Sequence, residues 1–257
     1  MRKEGNDPQT TFQGISKMLK KIAVAIAGAT TMGMSGFAAS ETVPSPIGDF
    51  DVSMTATLAS DYIWRGQSQT AGKAAIQGSL DVAHESGLYA GIWASNVDDF
   101  AFPGNNGGAD IEIDYYVGYG YSFTDDISAD LQLAKYTYPE ASSWNGYEII
   151  PSISAYGFTL GYKYGVETGV HPTYTWVGYE YTLPYEITAF ASYGYTDAKA
   201  GSDDYEDWAI GVGKTLLGLD VTLTYTDTDI SSTNCEASYG KDDYCDSNLT
   251  VAVSKSF

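Results

Sequence analysis

From Phe50 to the C-terminus, apolar and polar residues alternate with a period of two, the period of a β-strand rather than of a helix. Val52, Met54, Ala56 and Leu58 share one face against Ser53, Thr55 and Thr57. Ile111, Ile113, Tyr115, Val117, Tyr119 and Tyr121 alternate with Glu112, Asp114, Tyr116, Gly118 and Gly120. The pattern recurs through Leu131 and Leu133, Leu160 and Tyr162, Leu223 and Tyr225, and ends with Leu249, Val251 and Val253. It predicts about twelve strands, near 50–64, 74–84, 88–97, 109–122, 127–138, 146–155, 158–167, 173–183, 186–196, 205–215, 219–228 and 248–257. Tight turns are expected at 85–87, 124–126, 156–157, 184–185 and 217–218. Longer connections are expected at 65–73, 98–108, 139–145, 197–204 and 229–247, and 168–172 is short for its side. An even strand count with alternating short and long connections is how an outer-membrane up-and-down β-barrel is built.

A soluble sandwich would also alternate. A barrel is favoured because Tyr62, Trp64, Tyr119, Tyr121, Tyr193 and Tyr195 gather toward strand ends, as an interfacial girdle would. The polar faces carry small residues and acids, as a wet lumen would. If the apolar face meets lipid, then Asp81, Glu112, Asp114, Asp130, Glu148, Glu180, Glu186 and Asp220 point inward, with Lys163 as an inward cation. A carboxylate on lipid at mid-depth is costly, which fixes this choice of faces. Extending the first strand through Trp64 turns Asp61, Ile63 and Arg65 inward and Tyr62 and Trp64 outward.

The N-terminus changes the count of charges. Residues 18–40, MLKKIAVAIAGATTMGMSGFAAS, read as a secretory signal peptide with a basic start, a short apolar core and small residues before cleavage. Residues 1–17 read as an upstream extension, with Met18 as the expected start, and 41–257 as the barrel domain. Removing residues 1–40 takes five of the 13 positive residues and two of the 33 acidic ones, leaving a net charge of −23. So acidic a chain excludes nucleic acid as a partner, since phosphate contacts need a basic face. Only two arginines occur, and Arg65 is the one beyond the signal segment. It either neutralises excess acid and locks the first strand, or sets charge selectivity at a constriction. Cys235 and Cys245 are expected to pair in an oxidising compartment, the alternative being a metal site with Asp242, Asp243 and Asp246.

Five stretches carry a family resemblance: LASDYIWRGQSQT (58–70), AIQGSLDVAHESGLYAGIWASNV (75–97), EIDYYVGYG (112–120), TYTDTD (224–229) and VAVSKSF (251–257). Across the span from about residue 50 to the end they resemble the TorF-type porin family, also catalogued as Gcw_chp, bacterial proteins of unknown function. The resemblance implies an outer-membrane barrel that passes small solutes.

The terminal Phe257 on an apolar strand is the ending that barrel assembly machinery reads, although Lys255 departs from it and would have to snorkel. The expected partners are therefore outer-membrane lipids, that machinery and small-molecule solutes; no cofactor and no metal is indicated, and oligomeric state is not legible. The leading expectation is a passive porin with an acidic, cation-favouring lumen. The runner-up is a plugged structural or adhesive barrel, favoured by inward bulk such as Trp93, Tyr116, Tyr136, Trp176 and Phe190. A barrel enzyme acting on lipid ranks third: His84-Glu85-Ser86 sits at a turn where strand alternation keeps the three apart, and His171 has no evident partner.

Overall fold

The computed structural model describes residues 40–99, 101–102, 108–166, 172–199 and 203–257. The expected signal peptide and His171 lie outside them. Twelve strands close into one antiparallel barrel: β2 (Phe50–Ala59), β5 (Ala75–His84), β6 (Leu88–Asn96), β7 (Ile111–Ser122), β8 (Ile127–Thr137), β9 (Gly146–Ala155), β10 (Phe158–Gly165), β11 (Thr173–Leu183), β12 (Ile187–Asp197), β13 (Tyr205–Leu216), β14 (Leu219–Thr228) and β15 (Asn248–Ser256). Each pairs with the next, and β15 returns to β2 with Ala252 opposite Ala59. A short β1 (Glu41–Val43) covers the edge of β2 that β15 leaves open. Two two-residue strands, Ile63–Trp64 (β3) and Gln67–Ser68 (β4), pair with each other outside the barrel sheet. Among the described residues one α-helix, α1 (Ser232–Tyr239), lies in the connection from β14 to β15. No helix among the described residues is long and apolar enough to cross a membrane; the crossing is made by strands of 8–12 residues.

Burial follows the alternation. Met54, Leu58, Ile76, Leu131, Leu160, Ile210 and Val251 stand exposed on the outer face, while Gln77, Glu112, Asp114, Gln132 and Lys163 are buried on the inner one. This inverts a soluble protein and suits lipid outside and a polar interior. Tyr119, Tyr121, Tyr179, Tyr181 and Tyr185 band the short-turn end, and Tyr147, Tyr162, Tyr193, Tyr195 and Tyr225 band the long-loop end, all exposed. Tyr62 and Trp64 are not in the girdle. Tyr62 is buried to 1 % and packs edge-on against Trp93 inside the barrel. Lys255 does snorkel: its Nζ donates to the Gly218 carbonyl in the adjoining turn at 2.9 Å. Two of the turns, at Tyr156-Gly157 and Leu217-Gly218, hold both residues at positive φ, the type I′ geometry that matches the strand twist.

Most boundaries shift by one or two residues from the sequence expectation, and two of the differences bear on the interior. The first strand ends at Ala59, not Trp64, and the strand expected from 186 starts at Ile187. Glu186 therefore sits exposed in the 184–186 turn at φ +57° and is not a lumen residue.

Candidate functional site

After Ala59 the chain turns into the barrel instead of continuing along the wall. Trp64-Arg65-Gly66-Gln67 forms a hairpin tip with Arg65 at φ +49° and Gly66 at φ +76°. Glycine is required at the second position because a Cβ there would lie 2.7 Å from the Thr228 Cβ, at the end of β14 two strands from β2. Asp61, Tyr62 and residues 65–70 are all buried. Asp61 anchors the hairpin base: its carboxylate accepts from Ser68 Oγ at 2.7 Å, Thr70 Oγ1 at 2.6 Å and Asn248 Nδ2 at 2.6 Å. Burial raises its pKa above the ordinary aspartate value, against the pull of those donors. Gln69 N donates to the Tyr62 carbonyl and Asp98 N to the Gln69 carbonyl, both at 2.7 Å.

The tip reaches across to β9, β11 and β13. Arg65 Nη2 donates to Glu148 Oε1 at 3.0 Å. The guanidinium lies 4.1 Å from the Trp64 ring centroid and 4.4 Å from that of Tyr174. Burial is the largest single influence and works against the Arg65 charge, but Glu148, Tyr205, Tyr136 and Tyr174 together outweigh it and the pKa rises. Gln67 Nε2 donates to Tyr205 Oη at 2.7 Å, and Tyr239 of α1 donates to Gln67 Oε1.

The inward charges form two tiers. At the loop end Glu112, Asp114, Glu148 and Lys163 are brought together with Arg65 and Asp207, and all are buried or nearly so. Tyr138 donates to Glu112 and Tyr136 to Glu148, each at 2.7 Å. Lys163 interacts electrostatically with Glu148, Arg65, Asp114 and Glu112. At the turn end Asp81 accepts from Tyr116 and Ser79, Asp130 from Tyr89 at 2.9 Å, and Asp220 from Thr215. Glu180 shares that end and is exposed. Asp207 was not singled out from sequence, although Trp208, Ile210 and Val212 on the opposite face place it inward. Among the described residues Arg65 and Lys163 are the inward cations.

The inward aromatics do not simply fill the bore. Tyr116 lies over Gly91, Tyr89 over Gly118, Trp176 over Gly161, Tyr174 over Gly194 and Phe190 over Gly211, each ring within 2.1–2.5 Å of where a Cβ would stand. Four of these pairings face each other in register on neighbouring strands: Gly91 with Tyr116, Tyr89 with Gly118, Gly161 with Trp176 and Phe190 with Gly211. The rings pave the wall, flattened because glycine leaves them room. The space at the loop end is taken up instead by the hairpin and by described residues of the connections packed against it. Tyr62, Val97, Phe102, Tyr138, Cys235 and Tyr244 belong to one buried cluster there.

Cys235 and Cys245 are bonded to each other, which rules out the metal alternative. The bridge staples α1 to the following turn, whose Tyr244 donates to Asp98 Oδ1 at 2.6 Å. Replacing both cysteines with serine is expected to cost up to about 3 kcal/mol by the loop-entropy estimate. A thiol reagent should label the wild-type chain only after reduction, and labelling before reduction would contradict the bond.

His84 and Ser86 meet despite strand alternation, because the turn begins there: His84 Nδ1 and Ser86 Oγ are 2.7 Å apart. His84 Nε2 faces the Ile47 carbonyl at 3.0 Å rather than a carboxylate, and Ser86 N also donates to Nδ1 at 3.2 Å. This is turn capping.

A family model described as "Bacterial protein of unknown function (Gcw_chp)" matches residues 43–257. No curated protein matches the sequence. Among solved structures the KdgM porin superposes with a TM-score of 0.55 at 10 % identity, covering 80 % of this chain and 99 % of that one. The KdgM porin in complex with disordered oligogalacturonate gives the same values. The Pseudomonas aeruginosa protein OccK10 (OpdN) superposes at 0.39 with 12 % identity, covering 89 % and 76 %.

Proposed function

The chain belongs to the Gcw_chp family of bacterial proteins of unknown function, and from that barrel we propose an outer-membrane porin that passes small polar solutes and favours cations. The twelve-stranded fold it shares with a porin supports the channel. The observation that carries selectivity is the charge inventory of the interior. Among the described residues, ten inward carboxylates at 51, 61, 81, 112, 114, 130, 148, 180, 207 and 220 face two inward cations, Arg65 and Lys163. Fixed carboxylates along a narrow bore lower the energy of a cation and raise that of an anion. Oligogalacturonate, the polyanion held by KdgM, is on that account a poor solute here.

The hairpin favours a second reading, the plugged structural barrel. The two are reconciled if the hairpin closes a bore that is otherwise wide enough for water. The fold supports a non-enzymatic role, with lipids and the barrel assembly machinery as partners and Phe257, whose backbone pairs with Met54, as the assembly signal. The test is conductance of the refolded mature protein in a planar bilayer under a salt gradient. The expected result is infrequent openings whose reversal potential marks cation preference. Silence from folded protein, and equal silence when residues 62–70 are replaced by nine Gly/Ser residues, would establish the structural barrel instead.

A further inference from the structure

We propose that Glu148 and Tyr174 form a binding site for guanidinium-bearing organic cations, and that Arg65 occupies it as a tethered stand-in that keeps the hairpin shut. This rests on the channel reading above. The geometry around Arg65 is that of a receptor for a planar cation. A carboxylate bonds the guanidinium at 3.0 Å, and aromatic rings lie 4.1 and 4.4 Å from its carbon. The carboxylate and Tyr174 belong to the wall, on β9 and β11, while Arg65 and Trp64 arrive with the hairpin. Removing the hairpin would therefore leave a wall site with a carboxylate and an aromatic face.

The surrounding charge makes that vacated site a cation site. Glu112, Asp114, Glu148 and Asp207 face Arg65 and Lys163, so the tier carries a formal excess of two negative charges with Arg65 present and three without it. Asp114, 2 % exposed, has neither oxygen in a hydrogen bond, a carboxylate left for a second donor such as the amine of a dibasic solute. The path to it is also built. Along the inner face of β11 run Glu180, Gly178, Trp176 and Tyr174, from the exposed turn end to the buried tier. Trp176 and Tyr174 stack at 5.8 Å and 16°. A solute cation would meet a carboxylate, then two aromatic faces, then Glu148. A ligand that binds the wall only when Arg65 is out shifts the hairpin toward the displaced state by its differential affinity.

The experiment is single-channel recording of the full mature chain with agmatine, arginine, or sodium chloride at matched ionic strength in both chambers. Agmatine, a guanidinium with an amine and no carboxylate, should raise the open fraction about tenfold, arginine less and sodium chloride not at all. Arg65→Ala should be open without ligand and insensitive to agmatine. Glu148→Gln, which keeps the side-chain volume, should also open more often and lose the agmatine response. Heat-modifiable gel mobility verifies that each variant is folded. If Arg65→Ala and Glu148→Gln gate as the wild type does, or agmatine acts no differently from sodium chloride, while the chain with residues 62–70 replaced conducts, the proposal is overturned and the channel stands. If that replaced chain is also silent, the channel reading itself fails and the proposal with it.

Discussion

A Gly161→Val chain is expected to be destabilised by about 1–3 kcal/mol, the cost of overpacking a filled interior. A Cβ at 161 would stand 2.1 Å from the Trp176 ring carbons Cζ2 and Cη2. The ring has nowhere to retreat along the wall, because Trp176 packs with Tyr174, Ile150 and Ala134. It must rotate into the bore, so conductance should fall along with stability. The double variant Gly161→Val with Trp176→Ala removes the clash and should recover much of the loss, a coupling that a double-mutant cycle in urea unfolding measures. Unchanged stability in the single variant would show that the rings do not depend on their glycines.

The second large effect is expected at Asp61. Asp61→Ala removes the acceptor shared by Ser68, Thr70 and Asn248. Leaving buried donors without a partner costs about 1–3 kcal/mol. The hairpin escapes that cost by swinging out, so the loss should appear as local opening rather than as unfolding of the barrel. An arginine-specific protease provides the readout, since Arg65 is the one arginine in residues 41–257 and is buried in the hairpin. Cleavage after Arg65 should be slow in the wild type and roughly ten- to a hundredfold faster in Asp61→Ala, in proportion to the open population. Equal rates would mean that the hairpin is held elsewhere, by Arg65 and Gln67 at its tip.

These two sites differ in how far they could be read beforehand. The face of each wall residue follows from alternation alone, because a strand has only two faces and lipid tolerates only one of the two patterns. That placed Asp81, Glu112, Asp114, Asp130, Glu148, Lys163 and Asp220 on the inner face, where they stand. The same rule failed between 60 and 70. Period two continues through Asp61, Ile63 and Arg65, and it looks the same whether the strand pairs with a barrel neighbour or folds back on itself four residues later. The Arg-Gly pair resembles Tyr156-Gly157 and Leu217-Gly218, which do make type I′ turns. It lacks the Asn or Asp that marks such turns most strongly.

By itself the sequence determined the barrel, its strand count, which face of each strand is polar and the cysteine pair. Each of these follows from local periodicity, composition or spacing. Only the tertiary structure decided that a hairpin folds into the loop end, that Arg65 meets Glu148 across 83 positions of chain, and that inward aromatics lie flat on glycines. Those facts depend on strand register and on which residues face each other across the bore, and both are set by closure of the whole sheet.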